Sequence, residues 1–168
     1  KMSFQNKNII IVGASKGLGR MLAEKFINSK ANVALIARDK KKLLEIKTKS
    51  KFKKKVLIYS YDLFKNKVIN KICKDIRKNF KTVDVIIHCL GGSFGIVKPD
   101  SNWDDYSKSI KGNLGIAIDI NHNFIDQMIE EKKGNIIHIG SIAGQEAQHM
   151  GSPPYTVAKA TVSAYTRS

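Results

Sequence analysis

The residues best suited to chemistry lie near the C-terminal end of the sequence. Tyr155 and Lys159 are four positions apart, and Ser141 precedes Tyr155 by fourteen. On a helix, residues i and i+4 share a face, so the phenol and the ammonium group can point into one pocket. A free tyrosine has a pKa near 10 and is a poor base at neutral pH, but a nearby cation favours its phenolate form. The three residues could therefore move a proton to or from a substrate oxygen that Ser141 holds by a hydrogen bond.

A glycine-rich turn lies near the other end of the chain, directly after the apolar run Asn8–Val12. Glycines are needed where backbone turns tightly, approaches a pyrophosphate and lets a helix pack closely on a strand. The free N–H groups of a following helix would point at the phosphates. The turn therefore predicts a dinucleotide site, and the residues that we expect to line it are Gly13, Ser15, Lys16, Gly17, Leu18 and Gly19.

The end of the second apolar run indicates which dinucleotide binds. A carboxylate there would accept hydrogen bonds from a free ribose 2′-hydroxyl, but this sequence has Arg38, with Lys16 in the glycine turn. Two cations at one site suit the dianionic 2′-phosphate of NADP(H). Asp39, one residue later, keeps NAD(H) open as the less favoured alternative.

The elements that must position these residues are five short runs rich in Ile and Val. The runs are Asn8–Val12, Val33–Ala37, Val56–Tyr59, Val85–His88 and Ile136–Ile139. They are nearly continuous, which is typical of parallel strands buried on both faces. Segments with helical spacing separate them, and the apolar residues from Ile110 to Met128 predict one long helix. The alternation predicts an α/β fold, a doubly wound parallel sheet (Rossmann fold) in a single domain over 1–168. A sheet that ends on a fifth strand leaves an exposed edge, so we expect the chain to end before the last strands.

The charge is large but unevenly placed. The chain has 30 Lys and Arg residues against 14 Asp and Glu residues. Of the 30 basic residues, 26 are Lys, and 23 lie in residues 1–83. Nucleic-acid readers use Arg forks and interleaved aromatics, whereas the basic segment from Arg38 to Lys55 contains one aromatic, Phe52. This favours a solvated lysine-rich face over a nucleic-acid partner.

No apolar run approaches the roughly 18 residues of a membrane span, and no signal peptide is evident. The two cysteines, Cys73 and Cys89, make no disulfide framework or metal motif. We therefore expect a cytoplasmic protein with buried thiols and no metal.

The motifs together resemble the classical short-chain dehydrogenase/reductase family, from Lys7 to Ser168. The resemblance rests on the G-x-x-x-G-x-G turn, an Asn before Leu in a helix (Asn113), and Ser141 followed by the Tyr155–Lys159 pair, in family order. It implies hydride transfer between nicotinamide and a carbonyl carbon. It also implies that Tyr155 is the acid or base, that Ser141 stabilises the oxygen, and that Lys159 binds the nicotinamide ribose. Asn113, Lys159 and a water would complete a proton relay.

The resemblance adds further cofactor contacts and one departure. Asp62 is expected to bind the adenine, although it could equally cap the next helix. Leu63 and Gly91 are expected to line the same site. Where the family usually has Asn-Asn-Ala-Gly, this chain has His88-Cys89-Leu90-Gly91. His88 could act as an acid or base, but we favour a buried, hydrogen-bonded histidine.

The sequence thus predicts an NADP(H)-dependent oxidoreductase acting on a carbonyl or secondary alcohol. A 3-oxoacyl-carrier-protein type of reductase is the first choice, with a substrate that is small or carrier-bound. A sugar- or polyketide-type carbonyl reductase and a non-catalytic module that binds NADP or a polyanion are the alternatives. The resemblance further implies a homodimer or homotetramer through helices that start near Ser109 and Pro154. Gln145, Glu146, Gln148 and His149 suggest a polar wall near the substrate.

Overall fold

A computed structural model describes residues 4–65, 67–146 and 152–168. Five parallel strands form one sheet in the order β3-β2-β1-β4-β5. The strands are β1 Asn8–Val12, β2 Asn32–Ala37, β3 Val56–Ser60, β4 Val85–His88 and β5 Asn135–His138. The helices are α1 Gly17–Asn28, α2 Lys40–Lys49, α3 Val68–Phe80, α4 Trp103–Ile110, α5 Ile116–His122, α6 Ile125–Glu130 and α7 Pro153–Arg167. The strands agree with the five apolar runs to within one residue at each end.

The strand order makes this a doubly wound Rossmann sheet, as the sequence predicts. The order runs outward from β1 in one direction to β3 and in the other to β5. The chain therefore reverses its direction of winding between β1 and β4. Ligands of open α/β sheets bind in the crevice outside the carboxyl ends of the strands at such a reversal.

The core lies on both faces of the sheet. Alternate residues of β1 point to opposite faces, and Ile9 to Val12 are all fully buried. Ile9 and Ile11 join a cluster with Ala23 of α1 and Leu43 of α2, while Ile10 and Val12 join one with α3 and α5. Burial of each large aliphatic side chain contributes roughly 1.5–3 kcal/mol. The continuous apolar runs are therefore explained by helices that cover the sheet on both sides.

The last strand, β5, differs from the others. Asn135 and Ile137 are exposed, and Ile136 and His138 are half-buried. The expectation that this run is buried on both faces is wrong here, because β5 forms the edge of the five-stranded sheet.

The predicted long helix between Ile110 and Met128 is interrupted twice. A π-helical segment, Lys111–Gly115, separates α4 from α5. A second break lies between α5 and α6, where Phe124 leaves the helical conformation with φ −130° and is buried. Asn123 stabilises this break, because its carbonyl accepts a 2.8 Å hydrogen bond from Arg77 Nη1 of α3. The helix expected to start near Ser109 in fact begins six residues earlier, at Trp103.

Within the described parts of the chain, no helix combines the length and the apolar character needed to cross a bilayer.

Candidate active site

A cleft of about 490 Å³ opens at the carboxyl ends of the central strands. Its walls come from the turn after β1, the ends of β2 and β3, and the loop after β4. Ten of the predicted cofactor residues line it: Gly13, Ser15, Lys16, Gly17, Leu18, Gly19, Arg38, Asp62, Leu63 and Gly91. The cleft therefore lies at the reversal of strand order, where the fold predicts a ligand.

The glycine turn is shaped by close backbone approach. Gly13 has φ +85°, and a Cβ atom there would lie 2.7 Å from Leu90 N in the loop after β4. A Cβ atom at Gly19 would overlap the carbonyl oxygen of Gly13. Side chains at either position would force the turn away from α1 and β4. The glycines thus keep the N-terminus of α1, at Gly17, directly against the cleft, where its N–H groups could meet a pyrophosphate.

At the far end of the cleft, Lys16 and Arg38 lie on the wall together with Asp39 and Lys42. The carboxylate of Asp39 caps α2, because Oδ1 accepts a 3.1 Å hydrogen bond from Lys42 N. Oδ2 also forms an ion pair with Lys42 Nζ at 3.4 Å. The backbone hydrogen bond from Lys42 lowers the pKa of Asp39. Asp39 is therefore engaged with its own helix, which counts against a role in binding a ribose 2′-hydroxyl.

Asp62 lies in the turn after β3. Its Oδ1 accepts a 3.1 Å hydrogen bond from Phe64 N, and α3 begins only at Val68, after the cap residue Lys67. The alternative that Asp62 caps the following helix is therefore wrong, because the intervening turn keeps it away from that helix. Asp62 faces the cleft beside Leu63 instead.

Lys159 of α7 is almost enclosed, with 6% of its surface exposed. Its Nζ donates a 2.7 Å hydrogen bond to the carbonyl of Ile139, the residue after β5. The same Nζ lies 5.8 Å from the centroid of the Tyr155 ring. Burial lowers the pKa of Lys159. The ammonium group and the phenol thus share one side of α7, as the i, i+4 spacing predicts.

Ser141 is held beside α7 by the turn that follows β5. Its Oγ accepts a 3.2 Å hydrogen bond from Ala143 N at the start of the short 3-10 helix Ile142–Gly144. A Cβ atom at Gly144 would lie 2.7 Å from Ala160 N, so this turn packs directly on the α7 backbone. The close contact places the Ser141 turn next to the part of the helix that contains Lys159.

Asn113 lies in the π-helical segment and is buried. Its Oδ1 accepts a 3.0 Å hydrogen bond from Gly92 N, and its Nδ2 donates to the carbonyls of Gly92 and Ser109, each at 2.9 Å. The side chain is thus used to clamp the loop after β4. Short π-helical segments occur frequently at functional sites.

Gly91 joins these residues to the cleft. A Cβ atom at Gly91, which has φ +158°, would lie 2.6 Å from Asn113 Oδ1 and 3.3 Å from Lys159 Nζ. Gly91 and Ile139 also line the cleft. The cleft formed by the glycine turn is therefore continuous with Asn113 and Lys159, and Lys159 in turn lies beside the Tyr155 ring.

The structure adds residues that sequence reasoning missed. The carbonyl of Ile139 holds Lys159, and no side-chain motif could signal a backbone acceptor. Phe64 and Phe94 line the cleft with their rings edge to face at 5.5 Å. A side chain at Gly112 would collide with Phe94, which explains a glycine in mid-helix.

The structure also describes His88, both cysteines and two residues of the predicted polar wall. His88 is 4% exposed, and burial lowers its pKa to about 4, as expected for a buried histidine and not for an acid or base in contact with substrate. Cys73 is buried and Cys89 half-buried, both as free thiols. Gln145 and Glu146 are exposed beside the Ser141 turn, whereas Gln148 and His149 lie outside the described residues. In the described ranges, no three His, Cys, Asp or Glu residues are grouped to hold a metal ion.

Comparison with known proteins gives one family. The family described as short chain dehydrogenase matches residues 7–168. An NADP-dependent 3-hydroxy acid dehydrogenase of Schizosaccharomyces pombe is 30% identical over 95% of this chain and 63% of its own length. A 3-oxoacyl-[acyl-carrier-protein] reductase of Chlamydia trachomatis is 26% identical over 97% of this chain and 66% of its own length.

A solved structure from the same family has the same fold. A short-chain dehydrogenase/reductase of unknown function from Caenorhabditis elegans, solved with cofactor, superimposes with a TM-score of 0.83 at 30% identity. It covers 99% of this chain, which spans 64% of that protein. The chain thus corresponds to about two thirds of the length of these relatives.

Proposed function

Because this chain belongs to the short-chain dehydrogenase family, we propose that it is an NADP(H)-dependent oxidoreductase that interconverts a carbonyl group and a secondary alcohol. The observation that carries the proposal is the junction at Gly91. There the cleft meets Asn113 Oδ1 and Lys159 Nζ, which would lie 2.6 and 3.3 Å from a Cβ atom on Gly91.

The residues present fit a dinucleotide. Gly13 and Gly19 hold the N-terminus of α1 open to the cleft, Lys16 and Arg38 lie on its wall, and Asp62 faces it from the other side. In this proposal Leu18 and Leu63 contribute apolar surface, and Lys159 binds the nicotinamide ribose. When bound, the nicotinamide supplies or accepts a hydride at a carbon of the substrate.

The chain's own residues handle the proton. In the direction of reduction, the Tyr155 hydroxyl gives its proton to the carbonyl oxygen, and the Ser141 hydroxyl donates a hydrogen bond to the same oxygen. The ammonium group of Lys159, 5.8 Å from the ring centroid, stabilises the phenolate left behind. Tyr155 is then reprotonated from solvent by way of Lys159 and a water that the backbone carbonyl of Asn113 would hold, since the Asn113 side chain is engaged in the clamp. In the direction of oxidation the same residues take the alcohol proton away.

The choice of NADP(H) over NAD(H) rests on charge at the end of β2. Lys16 and Arg38 would flank a 2′-phosphate, and charge-assisted hydrogen bonds to phosphate are among the strongest that side chains make. Asp39 is hydrogen-bonded to Lys42 N and paired with Lys42 Nζ, so part of its negative charge is offset by its own helix. The name of the S. pombe relative, an NADP-dependent enzyme, supports the same choice.

For the substrate we favour a 3-oxoacyl group on a carrier, in line with the Chlamydia relative and the basic surface of this chain. A sugar- or polyketide-type carbonyl is the alternative within the same reaction. A non-catalytic NADP-binding module is less well supported, because the set of Ser141, Tyr155, Lys159 and Asn113 is complete and a protein that only binds the cofactor has no use for a proton relay.

We also infer a homodimer or homotetramer formed through α4 and α7. Trp103 on α4 is 73% exposed and Val157 on α7 is 40% exposed. The two helices contact each other, so they present one continuous surface.

The proposal is tested by following the oxidation of NADPH, and in parallel of NADH, with a panel of keto substrates. The panel contains 3-oxoacyl thioesters, keto sugars and diketones. We expect turnover with NADPH that exceeds turnover with NADH, first of all with the thioesters. Tight NADPH binding without turnover on any of them would favour the non-catalytic module and contradict the proposal.

A further inference from the structure

Two histidines and an asparagine form a polar cluster where β4 and β5 end. His88 Nε2 lies 2.8 Å from Asn121 Oδ1, and Asn121 Nδ2 lies 3.3 Å from His138 Nε2. His88 and Asn121 are buried, with 4% and 1% exposed, and His138 is half-buried. We call these three residues the His–Asn–His cluster. The mechanism above does not use any of them.

The sheet register brings the histidines together. His88 and His138 are partners in the parallel pairing of β4 and β5, so both point to the same face of the sheet. Their rings stack with centroids 5.1 Å apart and an interplanar angle of 20°. Asn121 approaches from α5 and reaches both rings. The cluster therefore connects two strands and a helix at the carboxyl edge of the sheet.

The hydrogen bonds determine which ring nitrogen carries a proton in each histidine of the cluster. Asn121 Oδ1 can only accept, so His88 Nε2 carries a proton; Asn121 Nδ2 can only donate, so His138 Nε2 carries none. His138 then bears its proton on Nδ1, which donates to Thr166 Oγ1 at 3.0 Å. Thr166 Oγ1 in turn donates to the carbonyl of Val162 at 2.7 Å. His138 is therefore neutral, with its proton on Nδ1. His88 is protonated on Nε2, and burial lowers its pKa to about 4, so it is neutral near pH 7 in the opposite tautomer.

The cluster ends on α7, the helix that contains Tyr155 and Lys159. Thr166 follows Lys159 by seven residues, which is about two helical turns, so both lie on one side of α7. Lys159 Nζ is bound to the carbonyl of Ile139, the residue next to His138. The helix is thus attached to the end of β5 at two points about 10 Å apart along its axis. Two attachments fix the direction of a helix, whereas one leaves it free to pivot.

We propose that the His–Asn–His cluster is a positioning device that fixes α7, and through it Tyr155 and Lys159, as long as both histidines are neutral. His88, Asn121 and His138 are positioning residues and do not touch the substrate. The inference rests on the proposed function, because Tyr155 and Lys159 matter only if the chain is a reductase.

Protonation of His138 would disrupt the cluster. An added proton on Nε2 would face the N–H of Asn121 Nδ2, so the amide would have to turn over and His88 would have to change tautomer. The titratable groups that face His138 are His88 from β4 and Tyr165 and Lys159 from α7, while α5 contributes the neutral Asn121. Burial, and then the charge of Lys159, lower the pKa of His138 from its usual 6.5. Disruption is therefore expected on the acid side of pH 6.5 and not at neutral pH.

The spectroscopic test reads the tautomers directly. Nitrogen-15 NMR of the histidine rings near pH 7.5 should show His88 protonated on Nε2 and His138 protonated on Nδ1. The Asn121→Leu variant should lose this assignment for both rings. Identical tautomers in the unaltered protein, or no change in the variant, would overturn the proposal.

The kinetic test separates positioning from folding. His138→Leu should lower kcat about tenfold, a change of about 1.4 kcal/mol in the barrier, with the Kd of NADPH changed less than about threefold. His138→Gln, which can still bind Asn121 and Thr166 but cannot be protonated, should keep kcat at pH 7.5 and remove the loss of kcat below pH 6.5. His122→Gln, an exposed histidine on the same helix as Asn121, is the matched control and should change neither quantity. An unchanged kcat in His138→Leu, or an unchanged acid limb in His138→Gln, would contradict the proposal.

The two tests distinguish the proposal from the function on which it rests. If the unaltered protein turns over no carbonyl substrate, the proposed function fails. The cluster would then be judged by the NMR tautomers, which do not depend on turnover.

Discussion

At the scale of single residues, Arg38 and Asp39 line the same cleft but differ in their contacts with the rest of the chain. Asp39 is turned back onto α2, where it caps the helix and pairs with Lys42. Arg38 lies on the cleft wall with Lys16. The order of the two residues in the sequence leaves the choice of dinucleotide open. The capping contact favours NADP(H), because it engages the Asp39 carboxylate with α2.

Arg38→Ala should therefore raise KM for NADPH about tenfold or more and leave KM for NADH nearly unchanged. The reason is that a hydrogen bond to a charged group contributes about 1.5–3 kcal/mol. Steady-state kinetics with both cofactors provide the measurement. Lys41→Ala is the control, since Lys41 is exposed on α2 and does not line the cleft. Equal changes with NADPH and NADH in Arg38→Ala would contradict the assignment.

At the scale of elements, the site depends on how closely the Ser141 turn packs on α7. Gly144 allows this contact, because a Cβ atom would lie 2.7 Å from Ala160 N and 2.5 Å from Lys159 C. Backbone atoms at these distances cannot move aside as the end of a flexible side chain can. The turn and the helix would have to separate, and Ser141 would move relative to Tyr155 and Lys159.

Gly144→Ala should lower kcat by about tenfold to a hundredfold, because displacements near 1 Å can cost that much in catalysis. It should also lower Tm by several degrees, as expected for overpacking that costs about 1–3 kcal/mol. Gly140→Ala, one residue before Ser141, is the matched control because a Cβ atom there would meet no atom within 4 Å. Similar changes in kcat and Tm in the two variants would show that the close packing of the Ser141 turn on α7 does not control them.

The elements also show what the sequence could and could not predict. The strands, their parallel order and the clustering of Gly13, Asn113, Tyr155 and Lys159 follow from local patterns and from a strong resemblance. The two breaks between Ile110 and Met128 do not, because apolar spacing continues across a π-helical segment with little change in which face is buried. The acceptor of Lys159 is a backbone carbonyl, which any residue type supplies. The pairing of His88 with His138 depends on strand register, which is a tertiary property.

At the scale of the whole molecule, most of the basic residues have no role in the proposed reaction. Of the 30 basic residues, 23 lie in residues 1–83, the half that contains the glycine turn. Some take part in surface ion pairs, such as Arg20 with Glu45 and Lys49 with Glu45. Such pairs contribute little to stability, with a median near 0–1 kcal/mol. Lys16 and Arg38 have an assigned role in the proposal, and the remaining charge gives a basic surface that would attract an acidic carrier protein.

We expect no specific nucleic-acid partner. Fluorescence anisotropy with labelled double-stranded DNA and single-stranded RNA should show no binding at about 0.15 M salt, and only weak binding at low salt. Electrostatic contacts with phosphate are screened at that ionic strength unless many of them form together. Tight binding with a steep salt dependence at physiological salt would instead support the polyanion-binding alternative.

The central claim is that Tyr155 transfers the proton while other residues hold the cofactor. Tyr155→Phe removes one hydroxyl and leaves the helix face, Lys159 and the cleft in place. Tyr106→Phe, on α4 and outside the cleft lining, is the matched control. Turnover of the best keto substrate and the Kd of NADPH should be measured for both variants and the unaltered protein. The kcat of Tyr155→Phe should fall by about 10²–10⁴-fold. Its Kd for NADPH should stay within about threefold of that of the unaltered protein. Near-normal turnover in Tyr155→Phe would contradict the account.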